Sequence, residues 1–128
     1  MRRHALLLSA LLAVTLGACT PPSTSPPPAT SLTTTKGQTL VDASGMTLYT
    51  FDKDSGGKSA CNGPCSKNWP PLMATTGTAA GDWSIVTRDD GSKQWAYKGK
   101  PLYAWAKDAK PGDVTGDGFN NVWHVAQP

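Results

Sequence analysis

The 128-residue chain contains no glutamate: all nine of its acidic residues are aspartates. It carries two histidines, three cysteines and two phenylalanines, and charged side chains make up only 16% of it. Each scarcity excludes something. Without Glu, and with 13 glycines and 11 prolines, helices lose some of their best formers and gain their worst, so they should not dominate. Only one histidine, His124, lies beyond residue 18, and no Ser or Cys stands in a recognisable local arrangement with it. Candidates for general acid, base or nucleophile are therefore few, and the chain reads as a non-enzyme. The formal charge of +3 belongs mostly to the first residues: from residue 19 onward ten Lys and Arg face nine Asp. That balance leaves no basic footprint for a nucleic acid.

What is present begins with "MRRHALLLSALLAVTLGAC". A basic start at Arg2 and Arg3 precedes an apolar run from Ala5 to Leu16, too short to span a bilayer comfortably, and residues 1–18 read as a secretory signal. Leu16, Gly17, Ala18 and Cys19 resemble the bacterial lipobox. The resemblance implies cleavage before Cys19, lipidation of that cysteine and an address on the extracytoplasmic side of a membrane; Thr20, where an Asp would signal retention, leaves the outer membrane allowed in a cell that has one. The stretch "TPPSTSPPPATSLTTT", residues 20–35, has no charge and little to bury, so residues 19–35 are expected as a lipidated cysteine plus a disordered, partly polyproline tether. Residues 36–128 remain for one small domain, whose limited core five Trp and three Tyr can reinforce.

That domain is duplicated. "GMTLYTFDKD" at 45–54 matches "GKPLYAWAKD" at 99–108, and the same offset of 54 places Trp69 on Trp123. Each unit of about 54 residues comprises an aromatic strand, an aspartate, a long loop and a tryptophan. In extended chain Tyr49 and Phe51 share one face, as do Tyr103 and Trp105. Asp54 and Asp108 are placed to end their strands by accepting backbone N–H groups of the following loop. Turn chemistry at Ala43–Gly45, Asp89–Gly91 and Lys98–Lys100, with a last strand at 122–126, gives roughly six strands. The expected fold is a small antiparallel all-β domain of two tandem repeats with long Gly/Pro loops.

"YTFDKD" and "YAWAKD" both fit Tyr-x-(Phe/Trp/Tyr)-x-x-Asp, and the chain resembles the predicted bacterial lipoproteins with that motif, a family of secreted repeats of unknown function. "CNGPCSKNWPPL" and "GFNNVWHV" resemble the segments that close the family's repeats. The resemblance implies paired repeats on a surface or periplasmic lipoprotein and brings no catalytic residue, substrate or cofactor.

Cys61 and Cys65 enclose Asn62, Gly63 and Pro64, turn residues that allow close approach, and an exported compartment favours their oxidation to a disulfide. The alternative is a copper or thiol redox centre of Cys61, Cys65 and His124, with Met46 or Met73 as thioether donors. "DVTGDGFNN" at 113–121 copies part of the oxygen spacing of a calcium loop, but its twelfth position is His124. The functional expectation is a tethered, non-catalytic module presenting loops 55–68 and 109–122 to an envelope protein, a glycan or a small ligand; Trp69 and Trp83 are expected chiefly to pack the core and would serve as contacts only where left exposed. A copper accessory protein and a structural envelope protein are the alternatives.

Overall fold

A computed structural model describes residues 26–128, with 12–14 and 17. Cys19 and most of the expected signal lie outside the described residues. Seven strands are present among the described residues: β1 (Thr30–Thr34), β2 (Gly37–Val41), β3 (Tyr49–Phe51), β4 (Trp83–Thr87), β5 (Lys93–Tyr97), β6 (Lys100–Pro101) and β7 (Trp123–Val125). A five-residue helix, α1 (Pro64–Asn68), and a 3-10 turn at Phe119–Asn121 complete the elements. All strand pairs are antiparallel, in sheets β1-β2, β3-β7 and β4-β5-β6.

The tether boundary at residue 35 is corrected. Thr30–Thr34 forms β1 against β2, and Ala29 is buried at 6% exposure. Thr30, Thr33 and Thr34 favour extended backbone, and Gly37, at φ 86°, follows the turn back into β2. Ladder hydrogen bonds rather than apolar area order this segment, which is why a count of large side chains places it in the tether. The turn between β5 and β6 uses Lys98 (φ 49°) and Gly99 (φ 81°), the two positive φ values of a type I′ hairpin.

The repeats interlock rather than stack. β3, from the first repeat, pairs with β7, from the end of the second, Tyr49 opposite Val125 and Phe51 opposite Trp123. The reciprocal pairing joins Pro71, at the end of the first repeat, to Tyr103 of the second. Between them Tyr49 and Tyr103 face each other and exchange both backbone bonds, N–H to O=C at 2.7 and 3.0 Å. Flanking bonds come in matched pairs at the same offset of 54: Asp52 N–H to Val122 O with Ala106 N–H to Asn68 O, and Leu72 N–H to Leu102 O with Ala126 N–H to Leu48 O. A pseudo-twofold axis thus runs between the two tyrosines.

Alternation along the central strands divides the interior into two cores. Leu48 and Leu102 point to an aliphatic cluster with Ala29, Leu40 and Ala126. Tyr49 and Tyr103 point the other way, into an aromatic cluster with Cys61, Trp69, Trp105 and Trp123. Both clusters draw residues from both repeats, so neither repeat can bury its apolar face alone. Separate chains covering 26–78 and 79–128 should each lack the near-ultraviolet dichroism of packed tryptophan and regain it on equimolar mixing. Independent folding of either half would contradict the interlock.

Candidate functional site

The aromatic core is an ordered stack. Phe51 lies on Trp123 (centroids 4.1 Å apart, planes 12° apart), Trp123 on Trp69 (3.8 Å, 2°) and Trp69 on Trp105 (3.9 Å, 27°). The order is symmetric about the Trp69–Trp123 contact, since Phe51 and Trp105 are equivalent. Tyr49 meets Trp69 edge-on at 5.3 Å and Tyr103 meets Trp123 edge-on at 5.1 Å, a geometry that sets the positive ring edge against a negative face.

Each tyrosine hydroxyl donates to the aspartate of the other repeat. Tyr49 Oη reaches Asp108 Oδ2 at 2.6 Å, and Tyr103 Oη reaches Asp54 Oδ2 at 2.7 Å. The second oxygens accept the loop N–H groups of Ala60 (2.7 Å) and Thr115 (3.1 Å). Strand-ending explains only that local half of the motif. The Tyr–Asp bonds run between repeats, and the signal for them is the recurrence of Tyr and Asp together at one offset. Burial pushes the Tyr49 hydroxyl far above the usual tyrosine range, and the bond to Asp108 pushes it further. Burial does the same to Tyr103, with Ser59 pulling partly back and Asp54 adding to the rise. Both phenols keep the proton that they donate. The Asp54 carboxyl is itself raised, by burial first, with the bonds from Ala60 and Tyr103 and the charge of Arg88 working against it.

Cys61 and Cys65 are joined in a disulfide, their Cα atoms 5.2 Å apart. Their loop is held by Arg88, the one arginine beyond residue 3 and only 5% exposed. Its guanidinium donates to Cys61 O at 2.6 Å, Ser59 Oγ at 2.9 Å and Gln94 Oε1 at 2.8 Å. Sequence inspection misses this clamp; a single Arg among nine lysines is the available signal, because five fixed donors suit a buried site better than an ammonium does. Gly116 is also missed: a Cβ there would lie 2.7 Å from Trp69 Cη2, so only glycine lets the second loop close on the stack.

Over the middle of the stack the two loops meet around a cleft of about 320 Å³. Three equivalent pairs line it: Cys65 with Phe119, Asn68 with Val122, and Trp69 with Trp123. The cleft therefore lies on the pseudo-twofold axis, with chemically divergent sides. One side offers the Asn68 amide and Lys53; the other offers Val122 and Phe119. Phe119 is 40% exposed and packs on Trp69 and Trp105 at 5.8 and 5.0 Å. Asn120 and Asn121, both at positive φ, turn the chain there. Trp69 is 3% exposed, so it floors the cleft rather than projecting from the surface.

The structure does not bring His124 to the sulfurs. It alternates with buried Trp123 on β7 and pairs with Asp52 Oδ2 at 2.7 Å beside Tyr97 and Lys100. The 113–121 loop directs its carboxylates apart. Asp113 accepts from Ala109 N and Lys110 Nζ, while Asp117 accepts from Val125 N and faces Lys36. Among the described residues no three His, Cys, Asp or Glu side chains gather as a metal cage.

Fold and site together define a small, duplicated all-β module with a cleft between its repeats. The sequence matches the family described as a secreted repeat of unknown function twice, over residues 30–73 and 84–127, and the chain belongs to that family. The two matches begin 54 residues apart and enclose both Tyr–Asp motifs, and the family description supports an extracytoplasmic setting. No curated protein and no solved structure matches the sequence.

Because folding raises the Asp54 carboxyl, the folded chain holds that proton more tightly than the unfolded one. The stability arising from this shift is fully present below the unfolded value and lost as pH rises through the folded value. The stability penalty of Asp54→Asn, measured by urea unfolding, should thus grow between pH 7 and about pH 4. A penalty that shrinks over that interval would oppose this sign.

Proposed function

We propose that this chain is an exported, non-catalytic binding module, lipid-anchored through Cys19 on the extracytoplasmic side of the envelope, and that its ligand enters the axial cleft. The carrying observation is that equivalent positions of the two repeats converge there with unlike side chains. A symmetric scaffold whose matched sites differ supports recognition of an asymmetric ligand. An aromatic face at Phe119, amides at Asn68 and Asn120 and the Lys53 ammonium suit a ring with an apolar face and a hydroxylated or acidic rim, the chemistry of an envelope glycan.

A binding role fits the titratable groups better than catalysis does. Among the described residues Lys53 is the one ionisable side chain lining the cleft, and the nearby carboxylates of Asp54 and Asp108 are committed to tyrosines. The copper alternative draws no support from joined sulfurs and a histidine paired elsewhere.

Titration calorimetry against purified envelope glycan fragments tests the reading. Phe119→Ala, at a half-exposed position, should weaken binding by about 10-fold or more, a loss of roughly 1.4 kcal/mol, while changing the unfolding midpoint little. Unchanged affinity in both Phe119→Ala and Lys53→Ala would remove the cleft from consideration.

A further inference from the structure

A second and larger cleft, of about 570 Å³, lies on the opposite side of the central strands, between β4, β5 and the 75–80 segment. Its apolar wall is built by Trp83, Trp95, Leu72 and Met73, its remaining protein wall by threonines and small residues, and among the described residues no charged side chain lines it. Trp83 and Trp95 meet edge-on, centroids 6.2 Å apart and planes 84° apart, which leaves an indole corner. The chain's own Pro26–Pro28 lines the same cleft. Immediately after it Ala29, buried in the aliphatic core, pins the backbone, so the proline run, exposed at Pro26 and Pro27 and half-buried at Pro28, is held beside the cleft.

The geometry points to a polyproline-reading groove: the Trp83–Trp95 corner takes an uncharged, proline-rich extended segment, with Pro26–Pro28 its resident ligand and a like segment of another chain its ligand in trans. Three physical points carry this. Consecutive prolines are already extended, so docking them orders little additional backbone. Their rings match flat aromatic walls, and indole N–H groups suit the solvated carbonyls of such a helix. An uncharged groove also excludes the charged segments that would otherwise compete. The prolines thus act as more than a spacer, and the attachment of the domain becomes coupled to the groove's occupancy.

The inference stands apart from the axial cleft and is tested without it. The mature chain, wild type and with Pro26, Pro27 and Pro28 all replaced by Ser, is titrated with a peptide of sequence TSPPPAT and with its all-serine counterpart, following tryptophan emission and heat. The triple variant should bind the proline peptide at least about 10-fold more tightly than wild type, where the tethered segment competes at an effective concentration near millimolar. Met73→Lys in the triple variant, placed at a 42% exposed position, should abolish that binding; Thr78→Lys provides the same test should the first variant fail to fold. Absence of peptide binding to the folded triple variant at 10-fold above that effective concentration overturns the inference. So does equal binding of the all-serine peptide, which would make the groove a general apolar site.

Discussion

A carboxylate taken from water is destabilising unless donors reach it, and this fold takes Asp108 to 9% exposure and half-buries Asp54. The donors come from the opposite repeat. Tyr49 reaches Asp108 and Tyr103 reaches Asp54, so each half supplies what the other half's aspartate needs. Those two bonds fix the register of the central Tyr49–Tyr103 pair, which sets the strand exchange and stacks Trp69 on Trp123. The cleft on the axis follows from that stack, because the loops closing each repeat start from the same aspartates.

The disulfide and the Arg88 clamp then break the symmetry. Cys61 and Cys65 correspond to Thr115 and Phe119 in the second repeat. One loop is thus closed by sulfur and a buried guanidinium. The other closes through Gly116 on the indoles, with Phe119 left at the surface. Duplication gives the cleft its two walls, and this divergence gives the walls unlike chemistry.

Much of this was legible in the sequence. The offset of 54, the shared face of Tyr49 and Phe51 and the hairpin turns all rest on local periodicity and turn residues, and the observed strands follow them. The oxidised Cys61–Cys65 pair likewise follows from turn residues between two cysteines. What was not legible is non-local. Nothing in one repeat indicates that its tyrosine bonds to the other's aspartate, since alternation gives a face and not a partner. Thr30–Thr34 was read as tether because burial was weighed above backbone pairing. Trp69 packs in the core, its expected place, and floors the cleft; the exposed ring is Phe119, which occupies the position of a cysteine in the first repeat.

The central claim, that reciprocal Tyr–Asp bonds lock the repeats together, is tested most directly by a double-mutant cycle. Unfolding free energies of Tyr103→Phe, Asp54→Asn and the double variant are compared with wild type, and the same is done for Tyr49→Phe and Asp108→Asn. Coupling of about 1 kcal/mol or more is expected in both cycles. Additive losses in both would mean that the hydroxyls and carboxylates act separately, and the interlock would have to rest on the ring stack alone.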